Sequence, residues 1–444
     1  MSRSPQAGSL PDDAGVIPRS PDIRPWLFVP VLYVMQAIPS TLVREVSTLV
    51  FKDFGLPNAR IAFWVSLLGL PWMLKLFWAP VVDFNLTRRR WVLSAQVLIS
   101  ACLVGLALAW RLPFFFPLSL AILFVLGLAS ATHDIALDGL YLLSLSQKQQ
   151  AYFVGVQSAS FRAGRLLCTG GLVFLAGILQ KGGQGIIASW TVVFGVIAAC
   201  YGAGALYARF FVPRPAGDLP VRCAPDAVPL LVAFTSFIRQ RGILAILAFI
   251  LFYRFGEAMV SMITPLFLRD AVAVGGLGLS VAEVGVINGV AGIVGIILGG
   301  IAGGGMVGRY GLRRAFVLML ISMNAPNLLY VWMAAAHPAT WWMYVVAFVD
   351  QFGYGFGFAG YSVYLMHVAQ RGNFRTSHYA IATGLGALTI MLAGMLSGYL
   401  QSTLGYVGFF VAVCLCTLPA VLTVLIIPLD EMKPEALAAA GGAD

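Results

Sequence analysis

A chain of 444 residues with 60% hydrophobic and only 10% charged residues departs from the soluble average of roughly 45–50% apolar and about 25% charged residues. That composition excludes an ordinary soluble enzyme and predicts an all-α polytopic membrane protein. The net charge of +10 does not argue for nucleic acid, because the basic residues are spread over separate polar breaks rather than gathered in one segment.

Residues 1–25 are polar and proline-containing, without the apolar stretch of a signal peptide, and are predicted to form a tail. Apolar runs of about 20 residues, enough to cross roughly 30 Å of hydrocarbon, then recur to the end of the chain. They fall near 26–43, 60–80, 91–110, 117–143, 151–178, 188–212, 243–268, 281–304, 315–335, 341–368, 379–401 and 406–428. These runs are predicted to be helices, since a closed barrel would show short alternating strands instead.

The first run carries Tyr33, Gln36 and Ser40 on roughly one face, and the outer loop after it is predicted to hold Arg44, Glu45, Lys52, Asp53 and Arg60. After the second run comes WAPVVDFNLTRRRW, with Asp83, Arg88 and Arg89. The fourth run contains ATHDIALDGLYL, whose Asp134 and Asp138 are four apart and share one helical face. An unpaired charge at mid-bilayer costs at least about 2.5–3.5 kcal/mol, so a cation is expected nearby. The turn SQKQQ leads into QSASFRAGR, and equal rise along a helical hairpin sets Asp134 level with about residue 163. Arg162 is therefore predicted to neutralise Asp134, with Arg165 beside it and Gly164 allowing close approach. Only a helix shift would bring Arg165 or Lys148 to Asp138.

Residues 213–241 form the longest polar, proline-bearing break. They divide the chain into six-helix halves at 26–212 and 242–428, with a further tail at 429–444. The second half carries FYRFGEAMVS, where Arg254 and Glu257 can pair at i,i+3. It also carries GGGMVGRYGLRRAF, with Arg309 and Arg313, and FVDQFGYGFGFAGYSVYL, with Asp350, Tyr354, Tyr361 and Tyr364. Tyr354 is predicted to line a cavity; Tyr361 and Tyr364 suit the membrane interface. The arginine-rich breaks alternate with arginine-poor ones, which predicts cytoplasmic termini and a cytoplasmic linker. The six cysteines and four histidines show no metal-ligand or nucleophile spacing, and no P-loop is present. No catalytic residue, metal or cofactor is expected.

Intramembrane ionisable groups in two halves predict a secondary transporter with a small-molecule cargo and protons as the coupling ion. The proton candidates are Asp134, Asp138, Glu257 and Asp350. The cargo candidates are Tyr33, Gln36, Arg162, Arg165, Arg254 and Tyr354. The loop residues Asp83, Arg88, Arg89, Arg309 and Arg313 are candidates for conformational control. A membrane receptor or membrane enzyme is the alternative class; the oligomeric state is not readable.

The paired arginine loops resemble the loop signature of the major facilitator superfamily, the second copy at Arg309–Arg314 more closely than the first. Two six-helix halves are the architecture that resemblance implies. THDIALDG followed by FRAGRLLCTGG is similar to the AmpG permease family, on Asp134, Asp138, Arg162, Gly164, Gly170 and Gly171; WAPVVD, LFYRFGEAM and LSVAEVGVIN are similar too. The chain departs from that pattern at Tyr141, Leu143 and SQKQQ, and Arg165 is an added cation. The resemblance implies import of anhydro-muropeptides, or of another anionic solute, across the bacterial inner membrane.

Overall fold

The structure is a computed structural model that describes residues 25–145, 147–215, 217–218, 230–371 and 375–427. For some helical positions, including Asp83, Lys148 and Arg375, only the backbone belongs to that description, and Arg222 and both tails lie outside it.

Helices dominate because, in hydrocarbon, a segment must satisfy its backbone donors and acceptors internally. The first half comprises α1 (Pro25–Asp53), α2 (58–85), α3 (Arg88–Ala109), α4 (Phe115–Ser144), α5 (147–181) and α6 (Ile186–Phe211). After a short linker helix, Leu230–Ile238, come α7 (Ile243–Arg269), α8 (Val281–Tyr310), α9 (Leu312–Ala336), α10 (Trp341–Gln370), α11 (375–404) and α12 (406–426). Bulky apolar side chains such as Leu206, Phe210, Ile301 and Leu425 stand exposed on the outside, as contact with lipid tails requires.

Local chemistry explains the interruptions. Helix α2 turns at Leu68–Gly69 and restarts at Leu70–Pro71, because proline has no N–H to continue the ladder. Helices α11 and α12 run together except at Gly405, whose φ of 67° suits glycine alone among common residues. Helix α1 does not end near residue 43. It continues to Asp53 through a π-helical turn, Leu42–Val46. Arg44 and Glu45, expected in an outer loop, are thus inside the membrane helix.

Small residues set how closely the helices approach. Gly295, Gly299 and Gly303 of α8 lie against α10, and a Cβ at Gly303 would sit 2.6 Å from the Phe356 carbonyl oxygen. Gly164 packs on α1 rather than on α4: a Cβ there would meet the Val34 carbonyl oxygen at 2.6 Å. The two halves meet where α5 faces α8, at Gly170 and Gly289, and where α2 faces α11, at Ala62 and Gly398.

Candidate functional site

Three polar clusters stand out, one inside the N-terminal half and two between the halves. The first lies within the N-terminal half. Lys75 Nζ on α2 is 2.6 Å from Asp134 Oδ2, and Gln36 Nε2 on α1 donates to Asp134 Oδ1. Tyr33 on α1 donates its hydroxyl to Asp138 Oδ1 at 3.0 Å, and its ring meets Tyr141 edge-on. This arrangement corrects the expected pairing. The cation beside Asp134 is Lys75, not Arg162, because α2 packs against α4 whereas residue 162 on α5 faces elsewhere. Arg162 instead lies within electrostatic range of Arg165 and Tyr354. His133, next in sequence to Asp134, is buried and turned to Gln96 of α3, 3.2 Å away.

The second lines a cavity of about 390 Å³ between the halves. Arg44, Glu45 and Arg165 line it from the N-terminal half, and Arg254, Glu257, Asp350 and Tyr354 from the other. Arg165 Nε is 3.0 Å from Glu45 Oε1. Arg254 Nη2 is 3.7 Å from Glu257 Oε2 and donates to the Tyr354 hydroxyl at 2.8 Å. The guanidinium also lies over Phe358 at 4.9 Å. Its helix turns at Tyr253–Arg254, which frees this side chain to reach α10. Asp350 accepts from Gln351 Nε2 at 3.0 Å. π-Helical turns in α1, α5 and α8 supply wall residues Arg44, Glu45, Thr169 and Asn288; such turns often accompany functional sites. Tyr33 and Gln36 are not in this wall; they belong to the Asp134–Asp138 cluster. Tyr361 and Tyr364 are buried in the C-terminal half, not placed at the membrane interface, because the rings of Phe249, Tyr253 and Phe316 pack around them.

The third clamps the halves together where α1 and α7 end. Lys52 pairs with Asp270, and Arg269 Nη2 is 2.6 Å from Asp53 Oδ1. Each half therefore offers a basic–acidic dipeptide, Lys52–Asp53 or Arg269–Asp270, to the opposite charges of the other. Asn58 Nδ2 adds bonds to Asp270 Oδ2 at 2.8 Å and Gln401 Oε1 at 3.1 Å. Tyr406 also donates to Asp270. Burial raises the affinity of the Asp270 carboxyl for a proton, but the bonds from Lys52, Tyr406 and Asn58 outweigh it and hold the group below its usual range.

At the opposite ends of the helices, Asp218 of the linker accepts from the backbone N–H groups of Arg88 and Arg89 at 2.6 and 3.0 Å, capping α3. The Arg89 side chain holds the Arg209 carbonyl at 2.6 Å. Arg309 and Arg313 are exposed on either side of Gly311, whose φ is 75°.

Lys75, Arg44 and the clamp each leave a signal in the sequence. Lys75 is a lone cation in the apolar stretch WMLKLFWAP, and Arg44 continues the face of Tyr33, Gln36 and Ser40. The clamp dipeptides end the first helix of each half.

Residues 31–386 and 274–443 match the Major Facilitator Superfamily. The anhydromuropeptide permease of Escherichia coli K12 is 24% identical over 374 residues, covering 81% of this chain and 71% of that one. An AmpG-type transporter of Rickettsia conorii is 21% identical over 408 residues, 88% of this chain and 93% of its own. Among solved structures, a mutant of the nucleoside transporter NupG superposes with a TM-score of 0.68 at 14% identity, covering 92% of this chain and 98% of that one. A POT family transporter in complex with 5-aminolevulinic acid superposes with a TM-score of 0.69 at 13% identity, covering 90% and 95%. The chain is a multi-pass membrane transporter. It belongs to the Major Facilitator Superfamily, and its similarity within that family is to the AmpG permeases.

Proposed function

We propose that the chain imports anhydro-muropeptides or related sugar-peptides across the bacterial inner membrane together with protons, by alternating access, with both termini and the 213–241 linker in the cytoplasm. The observation that carries this reading is the charged cavity between the halves, lined by Arg165 of α5 and by Arg254 and Tyr354 of α7 and α10. Anionic peptide groups suit arginines held in place by neighbouring carboxylates and rings. A site shared by two halves is the geometry that rocking of one half against the other requires. The reciprocal clamp would close the outer end while cargo leaves inward.

Proton binding belongs best to the Asp134–Asp138 cluster. The groups facing Asp138 are the Tyr33 hydroxyl of α1, Lys75 of α2 and Asp134 of its own helix. Asp134 has a lysine and an amide, whereas Asp138 has a phenol, which donates to a carboxylate but brings no cation. Asp138 is the carboxylate that would accept a proton and release it inward. Glu257 and Asp350 are the next candidates. The arginines at the helix ends near 88–89 and 309–313, with Asp83, would steady the inner ends of the helices during the exchange. Counterflow in proteoliposomes tests the cargo assignment: vesicles preloaded with unlabelled anhydro-muropeptide should accumulate labelled anhydro-muropeptide. Binding without exchange would support the receptor alternative instead.

A further inference from the structure

The charges in the cavity wall do not cancel locally. On the N-terminal side, Glu45 is engaged by Arg165 at 3.0 Å, which leaves Arg44 without a carboxylate partner among the described residues. The Arg44 guanidinium lies 5.0 Å from the ring centroid of Trp72. Its Nε makes one long bond, 3.4 Å, to the Ser40 carbonyl oxygen. Its terminal nitrogens remain as donors on an exposed side chain in the cavity wall. On the other side, Glu257 has Arg254 at 3.7 Å. Asp350, only 8% exposed, has the Gln351 amide at 3.0 Å, the Tyr330 hydroxyl of α9 and, among the described residues, no cation within ion-pair distance.

One wall thus presents a spare cation and the other a spare carboxylate, on different halves of the molecule. Asp350 is a buried charge without a counter-charge, which is costly, whereas Arg44 is a cation accessible from the cavity. A ligand that brings a carboxylate to one wall and an ammonium to the other gives each of them a partner. Held over Trp72, the guanidinium can still offer two N–H groups to a carboxylate. A compact carboxylate such as Asp350 suits an ammonium, which is a point charge with three donors.

We propose that Arg44 and Asp350 form a split zwitterion site: Arg44 takes a cargo carboxylate, Asp350 takes a cargo ammonium, and the cargo therefore carries a free amino-acid-type end. This rests on the sugar-peptide reading and narrows it, since the cavity then grips the charged end of the peptide rather than the sugar. Asp350 becomes a cargo residue, and proton coupling falls to the Asp134–Asp138 cluster. Contact with both halves at once would also let the cargo draw them together.

The test is calorimetric titration of the full chain in lipid nanodiscs. The probes are an anhydro-muropeptide with free peptide ends, the same compound with its amines acetylated, the same with its carboxylates amidated, and the peptide-free anhydro-sugar. Alanyl-alanine and its acetylated and amidated forms are titrated in parallel. Capping either charge is expected to weaken binding roughly tenfold or more, the scale of a lost charge-assisted bond. Arg44→Gln should erase the preference for acid over amide, and Asp350→Asn the preference for free amine over acetylated amine. Capped and uncapped probes that bind within about twofold of one another would overturn the zwitterion site without touching the sugar-peptide reading. The charge pattern appearing with alanyl-alanine but no binding of any sugar-peptide would do the reverse. The ligand capping needs no variant, so a variant that fails to fold does not shield the proposal.

Discussion

The two halves hold their membrane carboxylates differently. In the N-terminal half, Asp134 and Asp138 tie α4 to α1 and α2 through Gln36, Lys75 and Tyr33. In the C-terminal half, Glu257 and Asp350 stand in the cavity wall; Glu257 pairs with Arg254 of its own helix, and Asp350 accepts from Gln351 of its own helix and from Tyr330 of α9. A carboxylate that bridges helices changes their packing when its charge changes. A carboxylate in a cavity wall responds first to what occupies the cavity. The first arrangement suits ion coupling and the second suits cargo binding, so the two tasks can be divided between a cluster inside the N-terminal half and a cavity that both halves line.

The sharpest break in that comparison comes from Lys75. Lys75→Met leaves Asp134 without its cation and should destabilise the protein by about 3 kcal/mol, the upper end for a lost charged hydrogen bond, because the pair is only partly buried. Thermal unfolding in detergent reads this directly. Lys75→Met combined with Asp134→Leu should recover most of the loss, whereas Arg162→Met should show little coupling to Asp134. Losses that simply add for Lys75 and Asp134 would dissolve the N-terminal cluster as a unit.

The reason the sequence misplaced this pair is geometric. Matching depth along a hairpin selects the next helix in the chain, but neighbours in a bundle are set by packing, and α2 reaches Asp134 from across the half. Arg44 and Glu45 lie inside α1 rather than in a loop for a related reason. Charge near the end of an apolar run reads as a loop, although a polar stripe at helical spacing from Tyr33 onward continues to Arg44. The apolar helices and the two halves are legible because each leaves a local signature of length or apolarity, whereas the arginines expected in loops stand in the first or last turn of α3, α8 and α9. The clamp was not, because Lys52–Asp53 and Arg269–Asp270 acquire meaning only when the halves face each other.

The clamp gives the next effect in size. Lys52→Gln removes a charged partner of Asp270 and should favour opening at that end by about 1.5–3 kcal/mol. A cysteine placed at Ser66, in the cavity wall, in an otherwise cysteine-free chain, should then react at least about tenfold faster with an impermeant thiol reagent applied from the clamp side. Unchanged labelling would remove the clamp from the cycle. The pH dependence follows from Asp270. A carboxylate held below its usual range stabilises its pairing above the ordinary pKa of about 3.9 and loses that contribution as pH falls through the lowered value. Labelling should therefore stay flat across mildly acidic and neutral pH and rise only below about pH 4. A rise near neutrality would make the clamp, rather than the N-terminal cluster, the pH-sensitive element.

Smallest is Tyr33→Phe, which deletes one hydrogen bond to Asp138 and should lower stability by about 0.5–1.5 kcal/mol. Its larger consequence is expected in the pH profile of uptake, because the phenol is the bonded neighbour of the coupling carboxylate. A profile identical to that of the unaltered chain would separate Tyr33 from proton binding.

Uptake of labelled anhydro-muropeptide into proteoliposomes, driven only by an imposed inward proton gradient, tests the central claim most directly. The unaltered chain should concentrate the cargo, a protonophore should abolish this, and Asp138→Asn should lose the gradient-driven component while retaining counterflow. Uptake by the unaltered chain that is indifferent to the gradient would contradict proton coupling, and full gradient-driven uptake in Asp138→Asn would contradict its assignment to the N-terminal cluster.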